Sequence, residues 1–312
     1  MIGTLQRGVL AGLKTSWALG KIIFPVTLLL ALLQPTPLFS WLIDFVAPFM
    51  KWLGLSGDAA VPLVLGNLLG LYAAIGAMLT IEFTVKEVLI LAIMLSFCHN
   101  LIVESSVASR TGMSVTLMVI VRVGLAIVSA LLIAHLWDGG QEIAQYGFMP
   151  QEDAPPVGWG AIALVALKKA ATGIVQLVVI VIPLMTVIQV LKERHWIETF
   201  SRWMSPATKA LGMSPNTSLT LAAGFVFGLA YGAGVMIQAA KEDGVSKRDL
   251  TLAFIFLVSC HAVVEDTLIF VPLGIPVWPL LVIRLVTAVL LTMAVAFIWR
   301  RLEQPKRKEA AS

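Results

Sequence analysis

Charge is scarce in this 312-residue chain: 13% of its residues are charged and 59% are hydrophobic, and the mean hydropathy is +0.93. A soluble domain is about a quarter charged and about half apolar. The composition therefore excludes a soluble globular fold and points to a membrane protein. Cysteine is nearly absent too. The two present lie inside apolar runs, which leaves no disulfide framework. Polar loops are few, so there is little material for a soluble domain or an extramembrane active site. No Walker loop, Ser-His-Asp constellation or HExxH motif occurs. The sequence thus points away from an enzyme and implies no cofactor. The net charge of +4 is not a nucleic-acid footprint in such a chain. It is the Lys/Arg excess expected of cytoplasmic loops. The stretch MIGTLQRGVLAGLKTSWALGK lacks the short apolar block and cleavage site of a signal peptide. Its spacing suits an amphipathic helix leading into a first span.

What the chain does have is an internal repeat. At an offset of 158, PFMKWLGLS (48–56) matches PATKALGMS (206–214), and GNLLGLYAAIGAM (66–78) matches GFVFGLAYGAGVM (224–236). The offset then becomes 162. Cys98 and His99 fall on Cys260 and His261, Glu104 on Asp266, Ser105 on Thr267, Gly112 on Gly274 and Arg122 on Arg284. The extra residues lie in the charged loop KEDGVSKRD (241–249). Coincidence of so many polar residues within apolar helices is a poor explanation, so we read a duplication. The expected organisation is a first copy at 1–138, an acidic extracytoplasmic linker at 139–158, a second copy at 159–305 and a basic cytoplasmic tail at 306–312.

Each copy reads as the same series. A helix containing a proline (17–34 with Pro25, 170–191 with Pro183) precedes an amphipathic stretch too polar to span. A Gly-rich apolar segment follows (59–80, 217–240), and then two long helices (86–106 and 114–136, 248–269 and 276–298). A span needs about 20 apolar residues, which the first helix and the last two supply. The Gly-rich segment is either a fourth span or a re-entrant hairpin, and a hairpin is tolerated only where protein or a cavity surrounds it. With hairpins, each copy crosses three times and the second is inverted. With spans, each crosses four times and the copies are parallel. Positive charge bears on the choice. With both termini cytoplasmic, the inverted arrangement puts 16 of the 22 Lys and Arg inside, and the parallel one 14. The count favours inversion. The expected fold is an all-α polytopic membrane protein of two tandem repeats in inverted topology, each with three full spans, an interfacial amphipathic helix and the Gly-rich segment.

The polar residues inside this apolar sequence are the candidate site. Arg122 and Arg284 each lie about two turns inside a helix. A charge there costs at least ~2.5 kcal/mol on insertion scales, so it should face inward and have a partner. Glu104 precedes the turn that Arg122 follows, and antiparallel neighbours would bring the two to similar depth. The same geometry offers Glu265 and Asp266 to Arg284. Such pairs either only fix the hairpin or handle a substrate or protons. Cys98 with His99 and Cys260 with His261 are types that soft and borderline metals favour. Adjacent residues on a helix point about 100° apart, however, so one copy cannot use both unless the helix breaks there. The bland alternative is a small buried Cys beside a hydrogen-bonded His. Asn100, Ser105 and Thr267 accompany the acids, and Asn67, Tyr72, Tyr231 and Gln238 lie along the Gly-rich segments, where a solute could meet them.

The unit as a whole runs from an amphipathic helix through PxxKxLGxS, a Gly-rich segment and a charged loop to a helix with Cys-His and an acid, then an Arg helix. It resembles the nucleoside-recognition or Gate domain, found in bacterial integral membrane proteins, spore maturation proteins, the membrane part of the ferrous iron transporter and concentrative nucleoside transporters. The resemblance covers nearly the whole chain and implies an inverted-repeat membrane protein with broken segments at its centre. It fixes no substrate, and the iron transporter's GTPase domain has no counterpart here. The leading expectation is a permease moving a small polar or anionic solute, nucleoside-like by analogy with the family name alone. The alternatives are a divalent-metal permease using the Cys, His and acid clusters, and a non-transporting structural or signalling protein. The expected location is the cell (inner) membrane, with the bilayer and a small solute as partners. No nucleic acid is expected, and a homodimer is compatible with the sequence.

Overall fold

The computed structural model describes residues 2–146, 158–194, 196–241 and 244–309. Eleven residues of the expected linker, 147–157, and the last three of the expected tail lie outside the described residues. The described chain is helical, with no strand beyond one isolated bridge between Thr84 and Ile143. Its helices are α1 (Ile2–Leu33), α2 (Pro37–Trp52), α3 (Ala60–Leu68), α4 (Leu71–Met78), α5 (Val85–Cys98), α6 (Leu101–Arg110) and α7 (Val115–Leu136). Then follow α8 (Trp159–Glu193), α9 (Trp196–Ala210), α10 (Ser218–Lys241), α11 (Lys247–Ser259), α12 (Glu265–Leu268) and α13 (Trp278–Glu309).

By length and composition, five helical stretches among the described residues can cross a bilayer: Gly3–Leu33, Val85–Arg110, Val115–Leu136, Trp159–Leu191 and Trp278–Leu302. A sixth counts if Pro37–Trp52 and Gly57–Leu68, which turn through 92°, form one broken span. The stretch holding α5 is 67% buried and the other four are 22–25% buried. One expectation is corrected. Residues 248–269 are not a single long helix, because α11 ends at Ser259 and α12 begins only at Glu265. The expected helix at 86–106 is interrupted as well, between Cys98 and Leu101.

The chain forms two compact units built from interleaved segments. The first holds residues 1–101, 124–194 and 265–280, and the second 102–123, 195–264 and 281–312. In the first unit, α1 and α8 run antiparallel along most of their length. Thr4 reaches Glu193, and Gly8, Gly12 and Gly20 face Thr186, Ile182 and Ile174. The sequence reason is the pair Gly8 and Gly12, one turn apart on one face. A Cβ on either would come within 2.7 Å of the facing Cα, so only glycine permits this approach. Small residues at i and i+4 let membrane helices pack at backbone distance where no hydrophobic drive exists.

The Gly-rich segments are broken. Between α3 and α4, Gly70 has φ 113° and ψ 172°. Inside α10, Gly228 has φ 81° and ψ 173°. Side-chain-bearing residues rarely reach this region, which is why glycine sits there. The charged loops end in matching caps. The Thr84 side chain accepts from the Glu87 N–H at the start of α5, and the Ser246 side chain accepts from the Asp249 N–H at the start of α11. The acid three residues on then reaches across: Glu87 accepts from the Ser56 N–H at 2.8 Å, and Asp249 from the Ser214 N–H at 3.1 Å.

Candidate functional site

Both Cys-His pairs sit where a helix stops. The α5 helix ends at Cys98, His99 is extended, and Asn100 turns to φ 52°. The α11 helix ends at Ser259, Cys260 is extended, and Ala262 turns to φ 41°. The reason is where the backbone donors go. The Asn100 N–H donates to the Gly66 carbonyl at 2.8 Å. The Ala262 and Val263 N–H groups donate to the Gly224 and Phe225 carbonyls at 3.2 and 2.8 Å. Each break is thus hydrogen-bonded to the Gly-rich segment of its own unit, so buried polar backbone stays satisfied without a continuous helix. Each histidine closes the end of its helix. His99 Nδ1 lies 2.7 Å from the Leu95 carbonyl oxygen and His261 Nδ1 2.8 Å from that of Leu257.

The second unit carries a buried charged cluster. Glu104 on α6 and Arg122 on α7 meet at 3.0 Å between Oε2 and Nη1, with both side chains almost wholly shielded. The expected pairing is present. Glu104 also receives a residue that depth arguments did not suggest: His261 Nε2 lies 3.2 Å from Oε1. Arg284 on α13, fully buried, donates from Nη2 to the His261 carbonyl at 2.6 Å. One carboxylate, two guanidinium groups and one imidazole therefore lie in a connected series, drawn from α6, α7, α13 and the 260–264 break. Deep burial makes this set costly unless it stays paired.

In the first unit the polar residues form two smaller contacts. The Cys98 thiol donates to Asn67 Oδ1 at 3.0 Å, and Asn67 Nδ2 donates to the Leu63 carbonyl at 2.7 Å. The first contact uses the thiol hydrogen, which a metal-bound thiolate lacks. Tyr72 on α4 donates to Glu265 on α12 at 2.7 Å. Beside Tyr72 is a cavity of about 20 Å³, lined by Ile23, Gly76, Gly173, Leu177 and Ile269 among others. That is room for about one water.

Asp266 and Thr267 are buried on α12, in the first unit, while Ser105 is half-buried on α6 in the second. The side chain of Tyr231 lies outside the described residues, and Gln238 is exposed. Sequence reasoning missed the His261–Glu104 contact and the carbonyl that Arg284 meets. A backbone carbonyl leaves no residue-type signal, and 157 residues separate His261 from Glu104.

Such an arrangement defines a polytopic α-helical membrane protein with helices broken at depth and ionisable groups buried beside the breaks. The Gate model, described as nucleoside recognition, matches the chain twice, at residues 16–132 and 174–276. The chain is 60% identical over 294 residues to the "Uncharacterized membrane protein YvoD" of Bacillus subtilis (strain 168), covering 94% of each protein. No solved structure matches the chain. The chain belongs to the Gate, or nucleoside recognition, family and is a transporter-like membrane protein.

Proposed function

We propose that the protein is a secondary permease for a small polar or anionic solute, built from two inverted copies of one Gate unit. The observation that carries this reading is the recurrence of a doubly broken element. Gly70 faces the break at Asn100, and Gly228 faces the break at Ala262. Discontinuous helices in duplicated halves are the arrangement that transporters use to present helix ends and backbone groups to a solute near the midplane. Intramembrane acids and arginines are functional by default, and Glu104, Arg122, His261 and Arg284 supply them here.

Inversion is supported by α1 and α8. They hold equivalent places in the two copies, and they pack antiparallel. The register is informative: facing residues have numbers summing to 194, while equivalent residues differ by 158. Positions 18 and 176 satisfy both conditions, so a twofold axis in the membrane plane would pass between them. The two family-model matches begin 158 residues apart, the same offset as the sequence repeat. A nucleoside-like solute is the class that the family description favours. In this reading the protein lies in the cell (inner) membrane with both termini cytoplasmic.

The test is uptake of labelled nucleosides into proteoliposomes. Uptake above empty vesicles, reduced at least tenfold by Arg122→Met, is expected. No uptake of any nucleoside by correctly inserted protein would sink the transport reading. Topology is tested separately with single cysteines at the exposed positions Ser109 and Val271. Inversion requires that an impermeant thiol reagent reach them from opposite sides, and labelling of both from one side rules it out.

A further inference from the structure

We propose that residues 140–146 form a strap that closes one face of the first unit, and that this face opens to solute only when the strap lets go. The inference rests on the permease reading and deepens it by naming the segment that gates one of its two ends.

The strap is built on the first turn of α5. A helix starts with four N–H groups that lack an intrahelical acceptor. Here the capping box takes two. The Thr84 N–H donates to Glu87 Oε2 at 2.9 Å, and the Glu87 N–H to Thr84 Oγ1 at 3.2 Å. The strap takes the other two. Val85 donates to the Glu142 carbonyl at 2.9 Å and Lys86 to the Gly140 carbonyl at 2.8 Å. The strap also donates back, from the Ala144 N–H to the Phe83 carbonyl at 2.9 Å. The Phe83 N–H donates to the Tyr146 hydroxyl at 3.2 Å. Side chains alternate as they do along a strand, with Ala144 buried and Ile143 exposed.

The same segment meets a second turn. A Cβ on Gly274 would overlap the Gln145 carbonyl oxygen, so the strap lies directly on the backbone there. Gly274 closes the 3₁₀ turn Val271–Leu273 with φ 70°. The chain from Glu142 to Gln145 reaches at most about 10 Å. The turn joining α4 to α5 and the turn before α13 therefore cannot move far apart while the strap keeps its hydrogen bonds. Between these turns lies a polar contact, Tyr72 on α4 with Glu265 on α12. The cavity beside it, lined also by Ile269 and Pro272, has a volume of about 20 Å³. That is room for a water and not for a solute. Widening it moves α4 away from Ile269 and Pro272, which works against the strap.

The linker occurs once in the chain, so it fastens one of two equivalent turns. Gly112, the counterpart of Gly274, has φ 78° and nothing within 4 Å of an added Cβ. In the inverted reading these turns lie on opposite sides of the membrane. The strap and both turns it joins then share the extracytoplasmic side, as their contact requires. The strap thus favours the state closed outside over its alternative, which is how a local contact biases a two-state equilibrium.

The experiment has two arms. In the first, full-length protein in lipid nanodiscs is followed by hydrogen–deuterium exchange. The amides of Phe83, Val85, Lys86 and Ala144 should be protected in the wild type. Gly274→Ala should raise their exchange at least tenfold, because its Cβ displaces Gln145. Gly112→Ala carries the same positive φ without the contact, so it should leave them protected. Tyr146→Phe removes one acceptor without backbone strain and should raise exchange at Phe83. Free exchange in the wild type, or equal effects of the two glycine substitutions, overturns the strap. Where Gly274→Ala does not fold, unchanged exchange in Tyr146→Phe overturns it. In the second arm, Thr84→Cys/Ile143→Cys joins residues opposite each other across the bridge, at the close spacing that suits a disulfide. Uptake of labelled uridine into proteoliposomes should fall at least fivefold on oxidation and return with dithiothreitol. Equal uptake in both redox states overturns the gate and leaves the permease reading standing. No uptake of uridine or any other labelled nucleoside by the wild type overturns the permease reading and the gate with it, while the exchange arm still decides the strap.

Discussion

Removing Arg122 should show how the buried cluster is held together. The Glu104 and Arg122 side chains are 4% and 2% exposed and lie 3.0 Å apart. Truncating one partner of a buried pair typically costs about 3–5 kcal/mol, because the other charge stays buried without compensation. Arg122→Met keeps the length of the stem and removes the guanidinium, so Glu104 loses its contact at 3.0 Å. Glu104→Gln removes the charge and keeps the shape, so Arg122 loses that carboxylate. Each single substitution should cost about 3 kcal/mol or more. The double substitution removes both charges, and exchanging a buried pair for uncharged groups of similar volume is often neutral or stabilising. The double variant should therefore lie well above the sum of the singles, with a coupling energy near the ~3 kcal/mol upper end for contacting residues.

The assay is reversible unfolding in mixed micelles for the wild type, both singles and the double. The reference for failure is the ordinary interhelical side-chain hydrogen bond in a membrane, which averages about 0.6 kcal/mol. A coupling energy no larger than that would show that burial has not made this pair special. The reasoning from desolvation would then be wrong, whatever the distance between the atoms.

Three more outcomes follow from the backbone and from the end of the α1–α8 pair. Gly70→Ala and Gly228→Ala place a Cβ at φ 113° and 81°, and each should cost about 1–3 kcal/mol in the same unfolding assay. Gly124→Ala, mid-helix with nothing within 4 Å of its new Cβ, should be neutral or mildly stabilising; equal losses at all three sites would contradict the account of the breaks. Gly12→Ala brings a Cβ within 2.7 Å of the Ile182 Cα and should loosen the α1–α8 pair by about 1–3 kcal/mol, visible as lost crosslinking between cysteines placed at 4 and 193. Glu193 accepts hydrogen bonds from Arg7, Thr4 and Gln189, which hold its carboxyl well below the ordinary value of 4.5. Its folded value is depressed, so its stabilisation is present above about pH 4.5 and is lost as pH falls below that. The melting temperatures of wild type and Glu193→Gln should differ at neutral pH and converge in acid, and a constant gap would refute the assignment.

How far the sequence could be read depended on whether a feature had a residue-type cause. Gly70 and Gly228 were legible because side-chain-bearing residues rarely occupy their φ region, and the dihedrals show a break at each. The Glu104–Arg122 pair was legible because depth in an antiparallel hairpin follows from counting residues. The interruption after Ser259 was not. Residues 250–264 are mostly apolar, and 248–269 contain neither proline nor glycine, so local preference favours a continuous helix. It stops because Ala262 and Val263 give their N–H groups to carbonyls on α10, a long-range competition that no local pattern encodes. The carbonyl that Arg284 meets was not legible for a similar reason, since a backbone acceptor has no residue-type signal. Glu265 meets Tyr72, which the repeat could not suggest because position 230, the equivalent of 72, is alanine.

Interleaving explains the rest. The repeat suggests two halves that pack by themselves, but the compact units cut across it. The α6 helix, from the first half of the sequence, groups with α9, α10, α11 and α13. The α8 and α12 helices, from the second half, group with α1 to α5. In both halves the chain changes unit close to a Cys-His break, after Leu101 and after Val264. A repeated Cys-His followed by an acid therefore marks the place where the chain leaves one packing environment for another. It also accounts for Glu104 meeting His261 within the second unit: the acid has been carried past its own copy's break, into the unit that holds the equivalent break of the other copy.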